Sequence, residues 1–375
     1  MNDSATILEI RDLEVERGGA TLLKVASLSI KKGEILSLIG PNGAGKTTLL
    51  LTLSYLSKPS RGEVLFTGLR VNSSQSVLAY RRRLAMVFQE PLLFDTTVFN
   101  NVASGLKIRG VAKEKIRMTV REYLGRFGIE HLAQRSSRTL SGGEAQRTSL
   151  ARAFAIQPEI LLLDEPFAAL DPPTREALLE DLEDVLRQTQ TTTVFATHDR
   201  LEALRFSDRI AVMNGGQILQ IGSPGDVMNR PLDEFVASFV GIETVLKGNV
   251  LKRDAGVFLV SVGDQQIEAV GEAQAGESVT FCIRPENVTL STQFSKERTS
   301  ARNVFAGRIT RVTSMGLFYK IHLDCGFPIV AFVTSHSLEN LSLEQGKEIT
   351  VSFKATAIHV VRRQGAERRA QRAGS

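Results

Sequence analysis

Cysteine is nearly absent. Cys282 and Cys325 are the only two in 375 residues, too few for a disulfide framework or a cysteine-built metal site. Both are expected to be buried thiols. Long apolar runs are missing too: no window approaches the 18 uninterrupted apolar residues of a membrane-crossing helix. The opening residues, Met1-Asn2-Asp3-Ser4, lack the basic and apolar segments of a secretory signal. The net charge of +5 is small and badly distributed for a nucleic-acid binder. After Val361, five arginines (Arg362, Arg363, Arg368, Arg369 and Arg372) stand against Glu367, so +4 of the +5 lies at the C-terminus. That stretch has no apolar periodicity, and residues 363–375 are expected to form a disordered basic tail. The chain as a whole, 42% hydrophobic and 23% charged, has the composition of a soluble globular protein with room for two or three domains.

The most telling segment is Gly40-Pro41-Asn42-Gly43-Ala44-Gly45-Lys46-Thr47, which fits G-x-x-x-x-G-K-[ST]. The apolar run 35–39 before it reads as a buried strand, and 48–53 after it as a helix start. Strand, glycine loop and helix together make a phosphate cradle. The glycines let backbone N–H groups converge on an anion, and the helix N-terminus adds partial positive charge. Lys46 can reach the β- and γ-phosphates, and the Thr47 hydroxyl can bind Mg²⁺.

Two further motifs carry chemistry. The apolar run 160–163 ends in Asp164-Glu165. A continuous apolar run marks a buried parallel strand, and ligands bind at the carboxyl ends of such strands. Asp164 is therefore expected beside the phosphate loop as a Mg²⁺ ligand, and Glu165 as the group that polarises the attacking water. Ser141 followed by Glu144 is a capping box ahead of a helix over 146–156. Gly142 and Gly143 inside its first turn weaken a helix, so they imply close approach of backbone N–H groups to an anion.

Along the chain, residues 1–30 alternate as antiparallel edge strands. Residues about 90–157 are helix-rich. Residues 158–222 alternate strand and helix in the rhythm of a parallel sheet with covering helices. A short helix over 231–240 follows. From about 243 only short strands and turns appear, and the segment repeats. Gly276 to Arg284 lines up without gaps on Gly346 to Lys354, and Val245 to Val250 resembles Val304 to Ile309, with one short insertion near 335–343. Two copies of a small β-unit, 243–292 and 300–362, imply a duplicated barrel-like domain.

At this point the chain resembles the ATP-binding cassette (ABC) family over residues 7–240. Leu140-Ser141-Gly142-Gly143 is similar to its signature motif, Gln89 to its Q-loop, Ala169-Leu170-Asp171 to its D-loop, and His198 to its switch histidine. The resemblance implies an α/β P-loop fold, a mixed sheet with a helical subdomain, over 1–242. It implies a head-to-tail homodimer in which Gly40 to Thr48 of one subunit and Ser141, Gly142, Gly143 and Asp171 of the other enclose ATP. Lys46, Glu165 and His198 would be catalytic, with Glu165 as general base. Thr47, Gln89 and Asp164 would serve Mg²⁺, and Gln89 would border the groove that receives a permease helix. Two departures stand out: Glu144 replaces the usual glutamine, and Arg17 occupies the place of the aromatic that stacks on adenine.

With one nucleotide-binding domain and no membrane span, the chain resembles importer ATPases. These act at the cytoplasmic face of the cell membrane with separate permease subunits and a periplasmic or extracellular substrate-binding protein. The 243–362 domain is similar to their regulatory OB-like TOBE and molybdate-binding Mop-like folds. Ser300, Arg302, Asn303, Lys354 and Thr356 are the expected oxyanion donors. The resemblance points to tungstate first and molybdate second. A sugar or iron importer ATPase, or a non-transport ABC ATPase, is the alternative.

Overall fold

A hairpin of two twelve-residue strands, Thr6–Arg17 and Ala20–Lys31, opens the described chain. The computed structural model describes residues 5–292 and 300–361; the expected tail 363–375 and Arg362 lie outside the described residues. The contacts divide the chain into two units, Met1–Pro224 and Gly225–Ser375.

In the first unit the opening hairpin joins Arg61–Phe66 and Leu69–Arg70 in a four-stranded antiparallel sheet. A second sheet has six strands in the order Gln217–Gly222, Arg209–Asn214, Ile35–Ile39, Thr192–Thr197, Ile160–Asp164, Leu84–Val87. All neighbours are parallel except the first hairpin pair. Ile160–Asp164 and Thr192–Thr197 are buried along their whole length, as continuous apolar runs in a parallel sheet should be. The helices Val98–Ile108, Lys113–Arg126 and Gly142–Ala155 form the helix-rich part. Phe154 stacks on Tyr123 at 6.2 Å and packs against Phe127, closing that core.

The second unit follows the sequence repeat and adds one turn to it. Thr244–Asp254, Val257–Val262, Gln265–Val270 and Ser278–Ile283 form one sheet; Asn303–Ser314, Tyr319–Asp324, Pro328–Val333 and Glu348–Phe353 form the other. The helix Ser335–Asn340 occupies the expected insertion. The last strand of each copy crosses over. Ile358–Val361 pairs with Ser278–Ile283, and Thr289–Ser291 pairs with Glu348–Phe353. Each sheet of five strands is thus completed by the other copy, and a single apolar core lies between them. Phe305 packs edge-on against Phe327 at 5.1 Å and stacks on Phe353 at 5.8 Å. These curled sheets give the second unit an all-β, OB-like architecture. Cys282 and Cys325 are both buried here, and burial pushes their thiols up to about 11 and about 12.

The division between units falls at Pro224, ahead of the change in sequence pattern at 243. The short helices in between are tied to the β-unit. Arg284 donates to the Met228 carbonyl, His359 Nε2 lies 3.1 Å from the Pro231 carbonyl, and Lys247 pairs with Glu234 at 2.9 Å.

Candidate nucleotide site

The phosphate loop joins the central strand Ile35–Ile39 to the helix Lys46–Leu53. Gly45 caps that helix at φ 100°, a left-handed conformation that side chains rarely adopt. The side chain of Lys46 is buried, and its ammonium donates to the carbonyls of Gly40 at 2.8 Å and Pro41 at 3.2 Å. It also lies 3.3 Å from Glu165 Oε1. A buried ammonium needs such partners.

Asp164 ends the buried strand as expected. Its Oδ1 accepts a 3.0 Å hydrogen bond from the Thr47 hydroxyl. Burial pushes its pKa above the ordinary aspartate value, while the Thr47 hydrogen bond opposes the rise. One carboxylate beside one hydroxyl is the sparse protein donor set that Mg²⁺ takes when phosphates and waters complete its shell. The residues therefore fit the ion.

Glu165 follows at φ 45°, strained for a residue with a side chain. Three rings hold the strained turn: Phe167 packs against Phe195 and Phe206, and those two meet edge-on at 5.9 Å. Glu165 Oε2 sits 2.8 Å from His198 Nδ1. A cleft of roughly 620 Å³ is lined by Leu22, residues 42–48, Gln89, Glu165, Ala168 and His198. Most of the expected ATP and Mg²⁺ residues converge there, and Gly40 and Pro41 hold Lys46 from behind.

Ser141, Gly142, Gly143 and Asp171 are not among the residues lining that cleft. The capping box is present in both directions: Glu144 N donates to Ser141 Oγ at 3.3 Å, and Ser141 N donates to Glu144 Oε2 at 2.7 Å. The helix begins at Gly142, earlier than the expected 146. Gly143 has a close neighbour in its own chain, since a Cβ there would come within 2.5 Å of Thr174 Cγ2. Asp171 caps the helix Pro172–Thr189, accepting from Thr174 N at 3.2 Å. Arg17 is exposed at the end of its strand, outside the cleft lining. Sequence reasoning missed Leu22, which carries no motif, and the aromatic trio, whose members are far apart in the chain.

The expected oxyanion donors are divided. Ser300, Arg302, Lys354 and Thr356 are exposed. Asn303 requires a correction. Its side chain is buried, and its amide is committed at both ends, accepting from Glu268 N at 2.8 Å and donating to the Glu268 carbonyl at 2.9 Å. It latches one sheet to the other, with its side-chain oxygen and one amide N–H engaged by Glu268 inside the β-unit. Thr244, its counterpart in the first copy, accepts from Val330 N at 3.0 Å.

Comparison with known proteins agrees with this geometry. The ABC transporter family profile matches residues 23–168, and the TOBE domain profile matches residues 299–360. The molybdate/tungstate import ATP-binding protein WtpC of Pyrococcus horikoshii is 38% identical over 340 residues, 90% of this chain and 95% of that protein. The trehalose/maltose import ATP-binding protein MalK of Thermococcus litoralis is 35% identical over 92% of this chain and 94% of its own length. The spermidine/putrescine import ATP-binding protein PotA of Clostridioides difficile is 34% identical over 96% and 98%. Among solved structures, cbiO1 from Clostridium perfringens, part of the ABC transporter complex cbiONQ, aligns with a TM-score of 0.56 at 32% identity, covering 60% of this chain and 90% of that one. A dimeric post-hydrolysis ATP-binding cassette bound to ADP and Pi aligns at 0.53 and 31%, covering 58% and 99%. With this phosphate cleft in its first unit and a TOBE domain in its second, the chain belongs to the ABC transporter family and is an ATP-binding ATPase.

Proposed function

We propose that this protein is the ATP-hydrolysing subunit of an importer whose cargo is tungstate or molybdate. Working at the cytoplasmic face of the membrane, it would pair with permease subunits fed by a substrate-binding protein. The importer reading is supported by relatives named import ATP-binding proteins that span nearly the whole chain. The cargo is the finer part, because relatives named for sugars and polyamines match almost as well. The observation that carries it is the end of one ladder. Asn303↔Phe353 is its last rung, so Arg302 and Lys354 occupy the next two facing positions. Both are exposed, and neither makes an ion pair among the described residues. Like charges across a strand pair repel, and a dianion between them would remove that cost. Ser300 and Thr356 would add hydroxyl donors.

In this reading Lys46 binds the transferred phosphate and Glu165 takes the proton of the attacking water. His198 holds Glu165 and senses the γ-phosphate. Thr47, Asp164 and Gln89 hold Mg²⁺, which supplies charge neutralisation on the phosphates. Two chains pair head to tail, with Ser141, Gly142, Gly143 and Asp171 reaching the partner's nucleotide. Their absence from their own chain's cleft supports this. Mixing Lys46→Ala with Ser141→Arg, each inactive alone, should restore a fraction of activity; no recovery in demonstrated heterodimers would overturn the shared site.

The cargo test is equilibrium dialysis of the full chain against tungstate, molybdate, sulfate, maltose and spermidine. Uptake of tungstate and molybdate at micromolar concentration, with no uptake of the others, is expected. Retention of maltose or spermidine instead would replace the oxyanion reading.

A further inference from the structure

The loop that carries His198 is held from both sides. Before it, Thr197 Oγ1 accepts from Asp199 N at 3.0 Å and donates to Glu202. After it, Asp199 caps the helix Arg200–Phe206, accepting from Leu201 N at 2.7 Å and Glu202 N at 3.4 Å. Both carboxylates then converge on one cation. Arg175 Nη2 donates to Asp199 Oδ2 and, at 2.5 Å, to Glu202 Oε1. The side chain of Glu202 is only 6% exposed, so it is a buried acid that depends on its partners.

Arg175 itself stands at the start of the helix Pro172–Thr189, next to Thr174. Asp171 caps that start, and the Thr174 methyl fills the space beside Gly143. The same turn of helix thus supports the signature glycine on one side and the histidine loop on the other. No motif in the sequence draws attention to Arg175.

We infer that Arg175 is a positioning residue, which fixes His198 against Glu165 by clamping Asp199 and Glu202 to the first turn of the 172–189 helix. It is not among the residues lining the nucleotide cleft. Both bonds leave one nitrogen, Nη2, whose two hydrogens lie in the fixed guanidinium plane, so a lysine ammonium would reproduce the charge but not that direction. The inference rests on the role given to His198 above.

The experiment is steady-state ATP hydrolysis by the full chain carrying Arg175→Ala, His198→Ala, both together, Arg175→Lys, and Asp199→Asn. Asparagine preserves the helix cap but removes the ion pair. Arg175→Ala should lower kcat roughly 10–100-fold, the size expected when a reacting group is misplaced by about an ångström. The KM for ATP and the affinity for a fluorescent ATP analogue should stay within about twofold. The double variant should be no slower than His198→Ala, because residues acting as one unit do not add. Asp199→Asn should lower kcat in the same non-additive way, and Arg175→Lys should recover part of the loss. An unchanged kcat in both Arg175→Ala and Asp199→Asn overturns the inference, as does a double variant whose losses multiply. If Arg175→Ala does not fold, Asp199→Asn decides by itself. An unchanged kcat in His198→Ala would instead overturn the role of the histidine.

Discussion

The two units differ in the polar groups they bury: the first buries charged side chains, the second, among the described residues, only neutral ones. In the first, Lys46, Asp164 and Glu202 are buried at the carboxyl ends of parallel strands or beside them, and each is held by neighbours on other elements. Among the described residues, the buried side-chain polar atoms without any partner are those of Gln146, also in the first unit, on the helix that follows the signature. Glu165 adds backbone strain. In the second unit, two of the buried polar side chains, Thr244 and Asn303, are satisfied by backbone across the sheets. Costly placements accumulate where bonds are broken, while satisfied ones hold a scaffold together. Any anion in the second unit must therefore be taken up by exposed groups.

The largest effect should come from Glu165→Gln. Removing a general base costs about 10²–10⁴-fold in turnover, so phosphate release should nearly vanish while ATP binding, read by a fluorescent analogue, remains. Turnover close to that of the original chain would remove Glu165 from its role and weaken the contrast between units.

Next is Asn303→Ala, which tests the latch. It leaves the Glu268 N–H and carbonyl without their partner, at about 1–3 kcal/mol for a buried unsatisfied group. Denaturant unfolding should register this loss, and Thr244→Val should show a smaller one. If Asn303→Ala instead left stability unchanged and abolished tungstate uptake, Asn303 would be a ligand after all.

The double variant Arg302→Ala with Lys354→Ala should weaken tungstate or molybdate binding about tenfold or more, near 1.4 kcal/mol. Dialysis at several anion concentrations measures it. Equal affinity with and without the two cations would leave the facing charges unexplained.

The smallest effect has the opposite sign. Burial raises the Asp164 pKa, so its native carboxylate is destabilising above that value. Asp164→Asn should raise the melting temperature of the nucleotide-free protein by about 2–4 °C per kcal/mol gained. A raised pKa means the native state binds the proton more tightly. The advantage of the variant is therefore complete above the raised native value and closes as pH falls toward the ordinary aspartate value near 3.8. An advantage that grew on acidification would reverse this sign.

Much of the nucleotide site could be read from the sequence because its chemistry is local. A glycine loop, its lysine and the following helix are contiguous, so spacing alone sets their geometry. An apolar run ending in acids announces its own strand end. The β-repeat was legible for a similar reason: strand, short helical turn and strand recur at matching positions, from Ser278–Ile283 to Thr289–Ser291 and from Glu348–Phe353 to Ile358–Val361. Even the insertion at Ser335–Asn340 could be located from the offset between the copies.

Long-range pairing decided the rest. Two equivalent strands can complete either sheet with the same local pattern, so only the folded core selects the exchange of Thr289–Ser291 and Ile358–Val361. Asn303 looks like an anion donor by residue type, but the approach of Glu268 from another strand commits its amide. The helices after Pro224 look like the end of the cassette, yet hydrogen bonds from Arg284 and His359 draw them into the β-unit. Arg175 meets Asp199 and Glu202 across 24 and 27 residues. The sequence by itself determined which groups could do phosphate chemistry, since that depends on residue type and short spacing. Which of them are held, spent or left exposed was decided by tertiary contacts, because a hydrogen bond or ion pair is made by whatever the fold brings within about 3 Å.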